Sequence, residues 1–176
     1  PDKAVDTFID LLKVDTDTVE THLALGNLFR KRGEVDRSIR LHQNLIARPQ
    51  LSSRDRNSAL FQLGLDYNAV GMYDRSEKLF KELLSDPVHK NESLVQLLNI
   101  HQLTRDWDDA TKIAEELQSS LGVEQSKPIA HFYCELAAQK RQDGDIKAAL
   151  SNVKKALTIN PDSVRASLLQ GDIHLQ

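Results

Sequence analysis

Apolar residues recur along this chain three and four positions apart, in stretches of roughly ten to eighteen residues broken by clusters of Gly, Pro, Ser, Asn and Asp. The pattern predicts about ten helices, over residues 2–14, 18–31, 35–47, 53–70, 73–85, 91–104, 107–120, 128–142, 146–159 and 163 to the end. The short connections between them favour antiparallel pairs. Ser53, Asn91 and Ser163 suit N-caps, where a short polar side chain accepts from a free backbone N–H, and Pro128 suits a first helical turn.

The pattern repeats. A small residue opens the second helix of each pair, at Ala4, Ser38, Ser76, Ala110 and Ala149, at intervals of 34, 38, 34 and 39 residues. The two longer intervals hold the turn-rich insertions "ARPQLSS" and "LGVEQSKP". Leu25-Gly26 is followed three residues on from the glycine by Phe29, and Leu63-Gly64 by Tyr67. A helix-turn-helix period of 34 with these marks resembles the tetratricopeptide repeat. That implies an all-α tetratricopeptide solenoid read as a single domain over 1–176, with full repeats at about 19–50, 57–88, 91–122 and 130–161 and half-repeats at 1–16 and 163–176. Such a fold carries a concave inner face.

Glycine inside a helix costs about 1 kcal/mol relative to alanine, so its repetition demands a reason. Gly26, Gly64 and Gly171 are expected where the first helix of a pair approaches the second, with Ala137 in the same slot of another unit. Gly33, Gly71 and Gly144 lie seven residues after that slot, at the position of a left-handed C-cap, and Gly122 follows another helix. All seven glycines are then architectural, which leaves none for a phosphate-cradling loop.

Composition narrows the function. The formal net charge is -3, without a basic block, which argues against nucleic acid as a partner. Cys134 is the single cysteine, so no internal disulfide forms and a reducing compartment is expected. No run of residues is long and apolar enough for a membrane span. The opening within a helical pattern, without Met, is expected of an excerpt from a longer protein.

No catalytic motif occurs, and no enzyme is expected. His131 and Cys134, three apart, are a weak metal half-site, because zinc wants three or four ligands. Cys134 is expected to act as a small apolar residue, and a thiol-dependent hydrolase is the remote alternative. His22, His42, His89, His101 and His174 fall at unrelated positions and read as polar or half-buried helix residues. No cofactor or metal is expected on this chain.

Binding then falls to the inner face. Its positions are Leu23, Asn27, Arg30 and Lys31; Phe61, Leu65 and Asn68; Val95, Asn99 and Gln102; Ala138, Arg141 and Gln142. Amides there can hold an extended backbone, and the arginines can meet carboxylates. Asn27 and Asn99 resemble the asparagine slot of repeats that clamp a terminal carboxylate, but Leu23, Phe61 and Val95 stand where those repeats carry lysine.

Two stretches resemble something narrower. Residues 4–46, "AVDTFIDLLKVDTDTVETHLALGNLFRKRGEVDRSIRLHQNLI", and 129–139, "IAHFYCELAAQ", are similar to the bacterial lipopolysaccharide assembly protein B family, and "QLGLDYNAVGMYDRSEKLFKEL" keeps its spacing. The resemblance implies a location on the cytoplasmic face of the inner membrane, through an N-terminal anchor. It also implies a C-terminal rubredoxin-like module holding iron or zinc; neither segment is in these residues. The implied role is an adaptor by which a membrane-bound ATP-dependent protease degrades the lipid A pathway deacetylase. Other lipopolysaccharide assembly proteins and self-association are the further partners it suggests. A structural assembly module that gathers such proteins is the alternative.

Overall fold

The computed structural model describes residues 18–122 and 124–174, so the helix predicted over 2–14 lies outside the described residues. Among the described residues the chain is helical throughout, without a strand. Its elements are α1 (Val19–Lys31), α2 (Val35–Ile46), α3 (Ser53–Ala69), α4 (Tyr73–Glu82), a 3-10 turn (Leu83–Ser85), α5 (Lys90–Thr104), α6 (Trp107–Leu121), α7 (Ser126–Gln142), α8 (Ile146–Ile159) and α9 (Val164–His174). They form two compact units, one reaching to Ser93 and the other starting at Leu94. In the first, α2 packs on both α1 and α3, and α1 also touches α3. In the second, α8 packs on α7 and α9, and α7 also touches α9. Within each unit these three helices are therefore neighbours both in succession and one apart, as stacked helix pairs require.

Phe29, Leu45, Leu60, Leu63, Tyr67 and Phe80 form the core of the first unit, and Leu97, Ile100, Leu117, Phe132, Leu136 and Val153 that of the second. Each buried side chain of this size contributes about 1.5–3 kcal/mol relative to exposure. No helix among the described residues is long and apolar enough to cross a membrane.

Every turn within a helix pair closes with the same two backbone hydrogen bonds. Gly33 N–H donates to Arg30 and Glu34 N–H to Phe29; the pattern recurs from Gly71 and Met72, Arg105 and Asp106, and Gly144 and Asp145. This is the Schellman arrangement, which needs a left-handed residue after the helix. The glycines hold φ of +81°, +74° and +79°, whereas the third turn places Arg105 there at +59°. A Cβ in that conformation is strained by about 1 kcal/mol or more.

The close-approach slot shows a second regularity. A methyl group at Gly26 would stand 2.5 Å from the His42 Cε1, and one at Gly64 2.8 Å from the Phe80 ring. In each case the large residue lies four positions beyond the small marker, Ser38 or Ser76. The same offsets pair Leu98 with Ala114 and Ala137 with Val153, all buried. A small residue in one slot is thus matched by a larger one in the other, which keeps the summed volume of the two slots similar, as close packing favours. Ser38 and Ser76 also donate to the carbonyls of Gly26 and Gly64, each at 2.8 Å. At Gly171 a Cβ would meet nothing within 4 Å, because the described residues include no second helix for α9 to pair with.

Two expected caps also shift. Ser52 rather than Ser53 accepts from Asp55 N–H, and the next serine begins the helix. Asn91 lies inside α5, which starts one residue earlier. Ser163 does cap α9, accepting from Ala166 N–H at 3.3 Å.

Candidate protein-binding faces

The polar positions predicted for the inner face divide by what the fold does with them. In the first unit, Arg30 is fully engaged. Its guanidinium donates to Asp66 Oδ1 (2.7 Å), to the Gln62 carbonyl and side-chain oxygens (3.1 and 2.8 Å), and to Asn27 Oδ1 (2.8 Å). Asp66, wholly buried, also lies 2.7 Å from Ser38 Oγ, whose one proton is shared between it and the Gly26 carbonyl, and faces His42 Nδ1 at 2.6 Å. Arg30 and Asn27 thus serve α1, α2 and α3 as an internal tie. Phe61 is a correction as well. Only 7% exposed, it packs edge-on against Phe80 and beside His89, because its helix turns that residue into the core. Leu65 and Asn68 are half-buried, and Lys31 is exposed at the end of α1.

Ser38, His42 and Asp66 are the residue types of a hydrolytic triad, but their geometry is not. The serine sits 3.5 Å from the same imidazole nitrogen, Nδ1, that faces the aspartate, and Nε2 is buried without a hydrogen-bond partner. A nucleophilic serine has to face the nitrogen opposite the aspartate and reach substrate. Here all three side chains are sealed. His42, expected as a polar or half-buried helix residue, is therefore a core residue of an ionic cluster. Sequence reasoning missed it because Asp66 is 24 positions away on another helix.

In the second unit the predicted positions stay open. Val95 is 43% exposed, and Asn99 and Gln102 are exposed beside it on α5. Arg141 is half-buried, with a guanidinium nitrogen 3.6 Å from Asp172. Ala138 and Gln142 border a cleft of about 520 Å³ that also includes Arg105, Trp107, His131, Glu135 and Gln139. Trp107 stacks on Phe132 with ring centres 5.9 Å apart. No resemblance or motif pointed to Arg105 or Trp107; the available signal was the arginine standing where the other turns carry glycine.

The thiol and the histidines complete the picture. Cys134 is buried with Ala130, Ala156 and Ala166, and burial pushes its thiol above the usual range. That is the opposite of an activated nucleophile. His131 points outward and lies 3.7 Å from Glu135, so it shares no site with Cys134. His101, Asp106 and Asp109 come close enough to hold a cation. Both aspartates have structural work: Asp106 caps α6 by accepting from Asp109 N–H, and Asp109 pairs with Lys112 at 2.6 Å.

Comparison with known proteins agrees with this architecture. The tetratricopeptide repeat family matches residues 21–54. Lipopolysaccharide assembly protein B of Escherichia coli (strain K12) is 46% identical over 174 residues, covering 99% of this chain and 45% of that protein. Its counterpart in Haemophilus influenzae is 38% identical over 180 residues, covering 98% of this chain and 45% of its own length. The chain thus spans about half the length of these relatives. Among solved structures, PilW, a widely conserved type IV pilus biogenesis factor, superposes with a TM-score of 0.60 at 19% identity. That match covers 96% of this chain and 74% of PilW, and it speaks for the fold alone.

Proposed function

The chain belongs to the tetratricopeptide-repeat family and is homologous to lipopolysaccharide assembly protein B, and on that premise we propose that it is a protein-binding scaffold in lipopolysaccharide assembly. Its finer role in this reading is an adaptor at the cytoplasmic face of the bacterial inner membrane. It brings the lipid A pathway deacetylase to a membrane-bound ATP-dependent protease, and so sets how much lipopolysaccharide is made. Holding both proteins on one chain raises their effective concentration without any chemistry by the scaffold. The observation that carries the reading is homology over nearly the whole chain. The sealed Ser38–His42–Asp66 group and the buried thiol add support, since neither offers reactive geometry. Anchor and metal-binding module, with its iron or zinc, belong to segments beyond these residues.

The test is titration calorimetry of the chain against the deacetylase and, separately, against the cytoplasmic part of the protease. Binding to either that disappears when Asn68, Asn99 and Arg141 are changed together to glutamate, with helicity kept, supports an adaptor working through its first helices. Binding that survives the triple change moves the site elsewhere on the molecule. A second reading is a module that gathers assembly proteins or copies of itself. Unchanged turnover of the deacetylase after deletion of these repeats would favour it.

A further inference from the structure

The cleft beside the third turn carries more than openness. Arg105 keeps a left-handed backbone that glycine takes in the other three turns, so the chain tolerates strain to place an arginine there. Among the described residues this guanidinium makes no ion pair. The acid that lines the cleft, Glu135, is committed to Arg165 and His131; of the aspartates that follow Arg105 in the chain, Asp109 pairs with Lys112, Asp106 caps α6, and Asp108 is exposed. Across the cleft, Gln139 and Gln142 are exposed on α7, and their amides make no hydrogen bond among the described residues. Trp107 borders the same space, half-buried, supported from beneath by Phe132 and met edge-on by His131.

We infer that this cleft is a docking site for an acidic, extended segment of a partner protein. A glutamate or aspartate carboxylate pairs with Arg105, the segment's backbone meets the amides of Gln139 and Gln142, and a neighbouring side chain lies against Trp107. The arginine fork matches a carboxylate in two parallel hydrogen bonds, which a neutral amide of the same shape cannot reproduce with charge. Glutamine amides offer both donor and acceptor, as an extended backbone requires. The indole supplies flat apolar area at low entropic cost. The inference rests on the scaffold reading and specifies the kind of segment it holds.

Trp107 is the single tryptophan of the chain, so its fluorescence reports on the cleft directly. The probe is a blocked peptide of alternating glutamate and alanine, titrated beside its glutamine–alanine counterpart. The expected result is a saturable change in Trp107 emission, with the glutamate peptide binding about tenfold tighter or more. The preference weakens as salt is raised. Arg105→Gly, which relaxes the turn, and Arg105→Gln should both abolish the preference while leaving the helical signal intact, so a folding defect cannot explain the loss. No response to the glutamate peptide, or equal responses to both peptides in the unaltered chain, overturns the inference. Deacetylase or protease binding that persists in Arg105→Gly, with the peptide preference absent from the start, discards the cleft and leaves the scaffold reading standing.

Discussion

The two units build the same helix pair with opposite materials. In the first, the slot opposite Gly26 is filled by His42, and around it Ser38, Asp66 and Arg30 form a buried polar tie across three helices. In the second, the equivalent slot pairs Ala137 with Val153, next to Ala149 and Ile173, with no polar atom from these side chains. Around Gly26 the first unit turns its polar groups into its own interior; at Ala137 the second is closed by small apolar residues, and the amides of Asn99, Gln139 and Gln142 stay outside. A common backbone plan therefore fixes where helices meet, but not which chemistry holds them or which side chains remain for a partner.

The largest expected effect follows from cutting the polar tie. Asp66→Ala removes the carboxylate that Arg30, Ser38 and His42 share and leaves Arg30 only the neutral oxygens of Gln62 and Asn27, and losing one partner of a buried charged pair costs about 3–5 kcal/mol. Urea unfolding should show that loss, while Val153→Ala in the second unit costs nearer 1–3 kcal/mol, as a modest apolar truncation does. Equal losses would mean that Asp66 is not the keystone of the first unit.

A smaller effect tests the exchange of volumes. Gly26→Ala and Gly64→Ala drive a methyl into His42 and Phe80, costing about 1–3 kcal/mol from overpacking, partly offset by the better helix propensity of alanine. Gly171→Ala meets open space and should instead stabilise by up to about 1 kcal/mol. Gly64→Leu combined with Phe80→Ala copies the Leu98–Ala114 pair. It should cost far less than the sum of its single changes in a double-mutant cycle.

These comparisons also show what could be read in advance. The turns were legible because Gly33, Gly71 and Gly144 advertise a left-handed residue, and the period located the third such turn only as a gap. Arg105 hid there because arginine does not announce that conformation. The close-approach slot was legible where it holds glycine. Its inversion at Leu98 and Ala114 was not, since nothing local marks a leucine as standing where another unit has no side chain. The tie between Arg30, His42 and Asp66 depends on three helices at once, so residue type and spacing gave an open binding face where packing produced a core. Phe61 failed the same way: one step around α3 decides between groove and interior. The caps missed by one residue at Ser52 because two adjacent serines can each do the work.

Relaxing the third turn should have a mild, favourable effect. Arg105→Gly removes the Cβ from a left-handed backbone and should raise stability by about 1 kcal/mol, read as a higher urea midpoint with unchanged slope. A loss would show that the Arg105 side chain supports the fold rather than standing free for a partner.

The least effect expected is on pH dependence. His89 holds the Asp86 carboxyl below the usual carboxylate range by a hydrogen bond. A group depressed in the folded state stabilises above its unfolded value and loses that contribution as pH falls through the folded one. The melting temperature should therefore drop more between neutral and acidic pH in the unaltered chain than in Asp86→Asn. Cys134 acts at the other end. Its raised value means that the folded thiol keeps a proton the unfolded chain releases, so its contribution is present below the usual thiol range and fades as pH climbs through and above it.

The claim that the second unit keeps the free binding groups is tested most directly by hydrogen–deuterium exchange of the full chain, alone and with the lipid A pathway deacetylase. The account predicts new protection on α5, on the turn at Arg105 and on α7, with α1 and α3 little changed around the Arg30–Asp66 tie. Protection confined to α1 and α3, or absent throughout, would contradict it.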